Sequence, residues 1–393
     1  MFFSIVILML FALTLLRYIR GINSSFNFIN NSQISKSVNV GTLNSLAIII
    51  PVYHENEIIY ETMRYFNQIN KKLSIDVFYV TTAKETLFPS TKDIITSVLG
   101  KRNVIHYPYD TGHKSHQLNF ALNKLKSNYD FIGIFDADSR PDINGLRVML
   151  SCSSTTNIAQ MPSFYNTNYK KLNLFAKANS IFQTRWTMCY EIPQWLKWER
   201  AKSDNLMYLV GHGLFINTDD ITEVVFYENT ITEDLYFGYE SSLGNKKLYL
   251  IPFFDYCSCP KTLIGGIGQS SRWYYEEILM PFRFVTKIKS INLLMKLCVR
   301  YFHILAWAFG PLFLLTVLIT TIVNHYIYLT IILVIEVAVY IIVLNYHLLR
   351  QFGLYSWQYF TIFIKSITNC LGPLLCIIKI LFRRKILFNK TRR

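Results

Sequence analysis

Asp130-Phe131-Ile132-Gly133-Ile134-Phe135-Asp136-Ala137-Asp138-Ser139 is the stretch on which the reading of this chain turns. The apolar run from Phe131 to Phe135 reads as a buried strand, and it ends in two aspartates at i and i+2. Two carboxylates where a buried strand runs out can grip a divalent cation, and a cation held there can hold a diphosphate. Working outward, Leu46 to Tyr53 and Ile75 to Thr81 read as two more strands. Helical spacing follows at Ile58, Ile59, Met63 and Phe66, and again at Leu118, Ala121, Leu122 and Leu125. Alternating β and α units predict a Rossmann-like α/β domain with a mainly parallel sheet and helices on both faces. Ligands of such sheets bind outside the carboxyl ends of the strands, where Tyr53 and Asp136 fall.

The rest of the chain points to a membrane. Of 393 residues, 51% are hydrophobic and only 17% charged, and the apolar residues cluster. Phe2 to Leu16 is apolar apart from Ser4 and Thr14; His303 to Leu344 is broken only near Asn324-His325; Trp357 to Leu381 is a third, less pure stretch. The net charge of +15 is not accompanied by a nucleic-acid motif, so no nucleic-acid partner is expected. Lys and Arg crowd the apolar flanks instead, at Arg17 and Arg20, Lys287 to Arg300, Arg350 and Arg383 to Arg393. That placement fits positive-inside topology and attraction to anionic membrane lipids. The seven cysteines lack ligand spacing, Cys257-Ser258-Cys259 being too tight for a zinc knuckle, so buried reduced thiols are expected.

These patterns divide the chain into an N-terminal transmembrane anchor (1–20), an Asn/Ser-rich linker (21–44), a catalytic domain (45–284) and a C-terminal membrane region (285–393). The first stretch lacks a basic n-region and a cleavage site, which favours an uncleaved anchor over a signal peptide. The C-terminal region reads as a helical hairpin (303–345) turning near Asn324-His325 and kinked at Gly310-Pro311, then a re-entrant or interfacial element (357–381) broken at Gly372-Pro373, then a basic tail. Glu336, near the middle of the second hairpin helix, either faces a pore or is protonated and bonded to a neighbouring helix. Residues 165–200 mix Phe175, Ile181, Phe182, Trp186, Trp195 and Trp198 with Lys and Arg, which suits an interfacial helix or a core-facing one equally. The expected topology is multi-pass in the cell or inner membrane, with three spans, N-terminus out, C-terminus in and the catalytic domain cytosolic.

Three clusters carry chemistry. Asp136 and Asp138 suit Mg²⁺ or Mn²⁺ on a diphosphate leaving group. The same pair fits an aspartate-rich turn, or a phosphatase of the haloacid-dehalogenase type with Asp136 as nucleophile, although such domains begin with this strand. Asp234, in Ile231-Thr232-Glu233-Asp234, is placed to act as a base, with Glu233 tuning it by like-charge repulsion. The segment also reads as a helix N-terminus capped by Thr232. Gln269, Arg272 and Trp273 combine a diphosphate-pairing guanidinium with a flat ring for a sugar, behind Gly265-Gly266-Ile267-Gly268, a stretch suited to motion; an interfacial Arg/Trp anchor is the other reading.

Taken in order, the chain from 45 to 285 resembles membrane-embedded inverting glycosyltransferases of family 2, the group that includes cellulose, chitin and hyaluronan synthases. The resemblance rests on Ile50-Pro51-Val52-Tyr53 with Glu55, on Lys114 in His113 to Asn119, on Asp136-Ala137-Asp138, Gly211-His212-Gly213-Leu214-Phe215, Thr232-Glu233-Asp234 and Gln269 to Trp273. It implies a GT-A fold and transfer from a nucleotide-sugar donor, with inversion, to a growing glycan at the cytosolic face. Capsule, exopolysaccharide or O-antigen synthesis would be the setting. It implies that Pro51, Tyr53, Glu55, Lys114, Asp136, Gln269 and Arg272 bind the nucleotide sugar, and that Asp138 with Asp136 binds Mg²⁺ or Mn²⁺. Asp234, aided by Glu233, would be the catalytic base, and Trp273, Gly211, His212 and Gly213 would meet the acceptor. Val80-Thr81-Thr82-Ala83-Lys84-Glu85 lacks the base-reading aspartate frequent in the family, so UDP is the default rather than a reading. The membrane region is small for a synthase. A single addition to a lipid-linked acceptor, or a non-catalytic scaffold with this fold, are the alternatives.

Overall fold

The computed structural model describes residues 2–35, 44–200, 206–288, 290–352 and 358–382. The chain divides into two compact units, one of 29–164 and 195–257, the other of 1–28, 165–194 and 258–393.

The first unit is built on a seven-stranded sheet of β1 (Leu46–Pro51), β2 (Asp76–Thr82), β3 (Val104–Tyr107), β4 (Phe131–Ile134), β5 (Ile158–Gln160), β6 (Leu214–Asn217) and β7 (Leu248–Leu250), in the order β3-β2-β1-β4-β6-β5-β7. Only β6 runs against its neighbours β4 and β5; the other pairs are parallel. The mainly parallel α/β sheet expected from the alternating pattern is what forms. All of β1 except Pro51 is buried, as suits a central strand covered on both faces. Helix Ile59–Leu73 lays Ile59, Met63, Phe66 and Ile69 on it at helical spacing. A Cβ on Gly133 would stand 2.8 Å from the Phe215 ring, so this glycine is what lets Phe135 and Phe215 meet edge to face, 5.6 Å apart. Each such fully buried large side chain contributes roughly 1.5–3 kcal/mol by leaving water.

The second unit is helical. Ile291–Val323 and Thr361–Leu381 are each long and apolar enough to cross a membrane, with mean hydropathies of 2.1 and 1.7. Ile291–Val323 and Ile327–Phe352 are joined at Asn324–Tyr326, with His325 at φ +55°. Several details depart from the sequence reading. The stretch read as a linker is helical as far as Ser35, in one helix running Phe2–Ser35. Its polar residues are used: Ser25 Oγ donates to Met188 O at 2.6 Å, and a Cβ on Gly21 would press on Cys189 O at 2.6 Å. Met188 lies in a π-turn, Thr187–Glu191, whose widened ladder frees carbonyls. Residues 36–43 fall outside those described. Of the apolar residues in 165–200, Ile181, Phe182, Trp195 and Trp198 are buried, Trp186 is half-buried and Phe175 is exposed.

The last apolar stretch breaks at Asn369–Cys370 rather than at Gly372-Pro373, because proline is tolerated in the first turn of the next helix, Leu371–Leu381. Gly372 is instead a packing residue, its missing Cβ leaving room for Ser270 Oγ and Ser271 N, which would lie at 2.5 and 3.1 Å. Arg300, read as a lipid-facing flank charge, is buried and donates to Glu277 at 3.1 Å and Tyr190 OH at 2.9 Å. Glu336 Oε2 has no hydrogen-bond partner among the described residues.

Candidate active site

Strand register gathers the site. β4 ends at Ile134, paired with Leu214 at the start of the antiparallel β6. Residues just past β4 therefore lie beside those just before β6, which brings Asp136 to Ser139 next to Gly211 to Gly213. β5 pairs with the same end of β6, Gln160 opposite Leu214, and β7 pairs with β5, Gln160 opposite Leu250. The chain leaving β7 thus arrives at the same edge, where Asp255–Cys257 pairs with Arg140–Pro141. Gly213 adopts φ +62°, and a Cβ there would sit 3.0 Å from Met161 O, so the turn requires glycine.

Lys114 is the hub of the charges. Its Nζ lies 2.8 Å from Asp136 Oδ1, 3.0 Å from Gly211 O and 3.7 Å from Glu233 Oε1. Burial alone would lower the affinity of this ammonium for its proton, but Asp136 and Glu233 outweigh it and hold the pKa above the ordinary lysine value. Asp234 is fixed through the backbone: Gly211 N donates to Oδ2 at 2.6 Å and Leu235 N to Oδ1 at 2.9 Å. Burial raises the Asp234 pKa, while Lys114 and those two N–H groups oppose the rise. Burial also pushes Glu233 up to about 7, with Lys114 opposing and Asp234 adding to the rise.

Both acids open helix Glu233–Leu243. Thr232 stands at its N-cap position, but its hydroxyl caps nothing and has no partner among the described residues. What seats the helix is Gly238, four residues after Asp234 and on the same face. A Cβ there would lie 2.2 Å from Leu209 N, so the helix rests directly on the backbone that leads into Gly211.

His212, Asp255 and Cys257 form a second cluster, their ligand atoms within 4.8 Å of one another, and the set can hold a divalent cation. His212 Nδ1 is 2.8 Å from Asp255 Oδ2 and 3.4 Å from Cys257 Sγ. Burial lowers the imidazole's pKa but the Asp255 carboxylate more than restores it, and burial raises the thiol's well above its usual range. Imidazole and thiol are softer donors, whereas the carboxylates of Asp136 and buried Asp138 are the hard oxygen donors that Mg²⁺ and Mn²⁺ prefer. The aspartate pair fits the expected cation better.

At the end of β1, Pro51 closes the strand and the Tyr53 ring stacks on His54 at 4.0 Å. His54, at φ +55°, donates its N–H to Glu85 Oε1 at 3.2 Å, and Thr91 Oγ1 receives the N–H of Glu55 at 3.3 Å. Gln269, Arg272 and Trp273 lie in the second unit, on helix Leu263–Phe284. Gln269 is buried and accepts from Gln183 Nε2 at 2.9 Å, while Trp273 is exposed. The glycines before them, read as a mobile segment, are helical: Thr262 caps this helix, accepting from Gly265 N at 3.1 Å, and Gly266 is buried. Sequence reasoning missed Asp255, Ser139, Cys257 and Gly238. Only an apolar flank, Phe253-Phe254 before Asp255, hinted at a buried carboxylate.

Residues 131–345, more than half of the chain, match the family described as glycosyl transferase family group 2. The chain belongs to that family. No curated protein matches it in sequence. Among solved structures, it is similar to the mannosyltransferase PcManGT of Pyrobaculum calidifontis in complex with GDP-Man and Mn²⁺, at 13% identity and TM-score 0.53, covering 95% of this chain and 100% of that one. S. aureus TarS (residues 1–349) is similar at 12% identity and TM-score 0.42, covering 84% and 91%. The mannosyltransferase likeness shows the GT-A fold. This family member is therefore a glycosyltransferase with apolar helices suited to membrane association.

Proposed function

We propose that the chain moves a sugar from a nucleotide-sugar donor, with inversion, to a growing glycan at the cytosolic membrane face, in polysaccharide synthesis. The observation that carries this reading is Asp234 locked by Gly211 N and Leu235 N, one loop away from Asp136 and linked to it through Lys114. Inversion needs a base on the face of the anomeric carbon opposite the leaving group. Each Asp234 oxygen accepts one backbone N–H and keeps a lone pair to take the acceptor hydroxyl proton. Burial raises its basicity for that step. Asp138 with Asp136 would hold Mg²⁺ or Mn²⁺, which when bound neutralises charge on the departing diphosphate. Lys114 stabilises Asp136 and counters the two acids of the helix start, so that three carboxylates coexist in a buried site.

The complex of the similar mannosyltransferase with GDP-Man supports a nucleotide-sugar donor without choosing the base for this chain. Tyr53, Glu55 and Pro51 would line the nucleotide, Gln269 and Arg272 the diphosphate, and Trp273 with Gly211 to Gly213 the acceptor. The test is release of nucleoside diphosphate by the detergent-purified chain from a panel of sugar nucleotides with Mg²⁺ or Mn²⁺. Cation-dependent release from one donor, with a ladder of products, supports the reading. Products of one added sugar sink polysaccharide synthesis in favour of a lipid-linked acceptor, and silence with every donor and acceptor sinks the transferase.

A further inference from the structure

We propose that Asp255 is a positioning residue that ties the loop bearing Asp136 and Asp138 to the loop that seats Asp234. The inference rests on the transferase reading for its meaning but has its own observable. Asp255 is fully buried, with 0% exposure. Its Oδ2 accepts from Ser139 Oγ at 2.7 Å and from His212 Nδ1 at 2.8 Å, and its Oδ1 accepts from Arg140 N at 3.1 Å. Ser139 and Arg140 are the two residues that follow Asp138. His212 follows Gly211, whose N–H holds Asp234. One carboxylate therefore grips both loops, each within two residues of a group assigned to the chemistry.

A buried carboxylate is costly unless its lone pairs are filled, and here donors from both loops fill them. The Asp255 backbone has an anchor outside both loops, its N–H donating to Pro162 O at 2.9 Å. The side chain is thus a fixed post to which the two loops are fastened, rather than a group carried along by either. Arg140 adds a second brace on the first loop, donating to Ala137 O at 3.1 Å and Ser139 O at 2.7 Å. Groups that orient metal-binding or catalytic side chains in this way typically alter affinity or rate by about 10–100-fold when removed.

The test is Mn²⁺ affinity of the detergent-purified full chain, measured by calorimetry beside turnover and thermal melting, for the unaltered protein, Asp255→Asn, Ser139→Ala and Cys257→Ala. Asp255→Asn replaces one acceptor by a donor with little change of shape. Ser139→Ala removes one of the two first-loop donors and leaves the buried carboxylate Arg140 N and His212, so it stays informative if Asp255→Asn does not fold. Expected is Mn²⁺ binding about 10-fold weaker in Asp255→Asn and measurably weaker in Ser139→Ala, with Cys257→Ala binding like the unaltered chain. Unchanged Mn²⁺ affinity in Ser139→Ala and in any folded Asp255→Asn overturns the proposal. Loss of Mn²⁺ binding in Cys257→Ala overturns it too, assigning Asp255 to ligation with His212 and Cys257. An unaltered chain that binds no Mn²⁺ overturns it together with the cation reading. Weakened binding in a chain that turns over no donor upholds the positioning role while sinking the transferase reading.

Discussion

Asp234 owes its position to Gly211, whose N–H is 2.6 Å from Oδ2 and whose absent Cβ would stand 2.9 Å from the same oxygen. Gly211→Ala should therefore push the carboxylate away while leaving the strands intact. The expected outcome is a loss of kcat of about 10²-fold, the scale on which small misplacements act, with donor affinity by calorimetry little changed. Glu233 supplies a pH dependence. Its carboxyl is raised from 4.5 to about 7 in the folded chain, so between those values the folded state holds a proton that the unfolded state releases. Stability from this group is present below pH 4.5 and is lost as pH rises through about 7. Glu233→Gln, which cannot ionise, should gain melting temperature relative to the unaltered chain between pH 5 and pH 8. A difference that is flat or falls with pH would show that Glu233 is not held protonated by burial.

Helix Glu233–Leu243 shows how an element delivers a residue. A Cβ on Gly238 would stand 2.2 Å from Leu209 N and 2.5 Å from the Tyr208 backbone, closer than any Cβ can approach. Those partners are backbone and cannot step aside, so Gly238→Ala should lower stability by about 1–3 kcal/mol and cost activity by lifting Asp234 off Gly211. A melting curve and turnover rate like those of the unaltered chain would count against it. The α/β alternation and the long apolar helices were legible because hydrophobic period and length announce them. β1, β2, β4, the helix from Lys114 and the aspartate pair all read directly. Less legible were β3 and helix Thr91–Leu99, which are short; the latter is fixed by a capping box of Ser90 and Asp93. The helix through Ser35 was hidden because Asn/Ser-rich sequence signals a loop unless a partner, here Met188 O, takes the hydroxyl. Asp255 was hidden for a related reason, since its partners are remote in sequence and periodicity says nothing about them.

For the whole molecule, helix Ile291–Val323 sets the scale. At 1.5 Å per residue its 33 residues reach about 50 Å, beyond the roughly 30 Å of a hydrocarbon core. The surplus is the segment with Lys296 and Arg300, and Arg300 is spent on Glu277 and Tyr190 rather than on lipid. Only 17% of the most apolar window of this helix is buried, which leaves its surface for lipid. The chain should stay with the membrane after alkaline carbonate washing and leave it only with detergent; release by carbonate would contradict a spanning helix. The proposed sugar chemistry belongs to the same scale, since it would draw on the aspartate pair, Lys114 and the Asp234 helix together. Its most direct test is cation-dependent release of nucleoside diphosphate by the purified chain and by Asp234→Asn, with donor affinity measured on both. The expected result is release from one sugar nucleotide, a fall of at least about 10²-fold in the variant, and donor affinity unchanged between the two. Equal release by the variant would contradict Asp234 as the base.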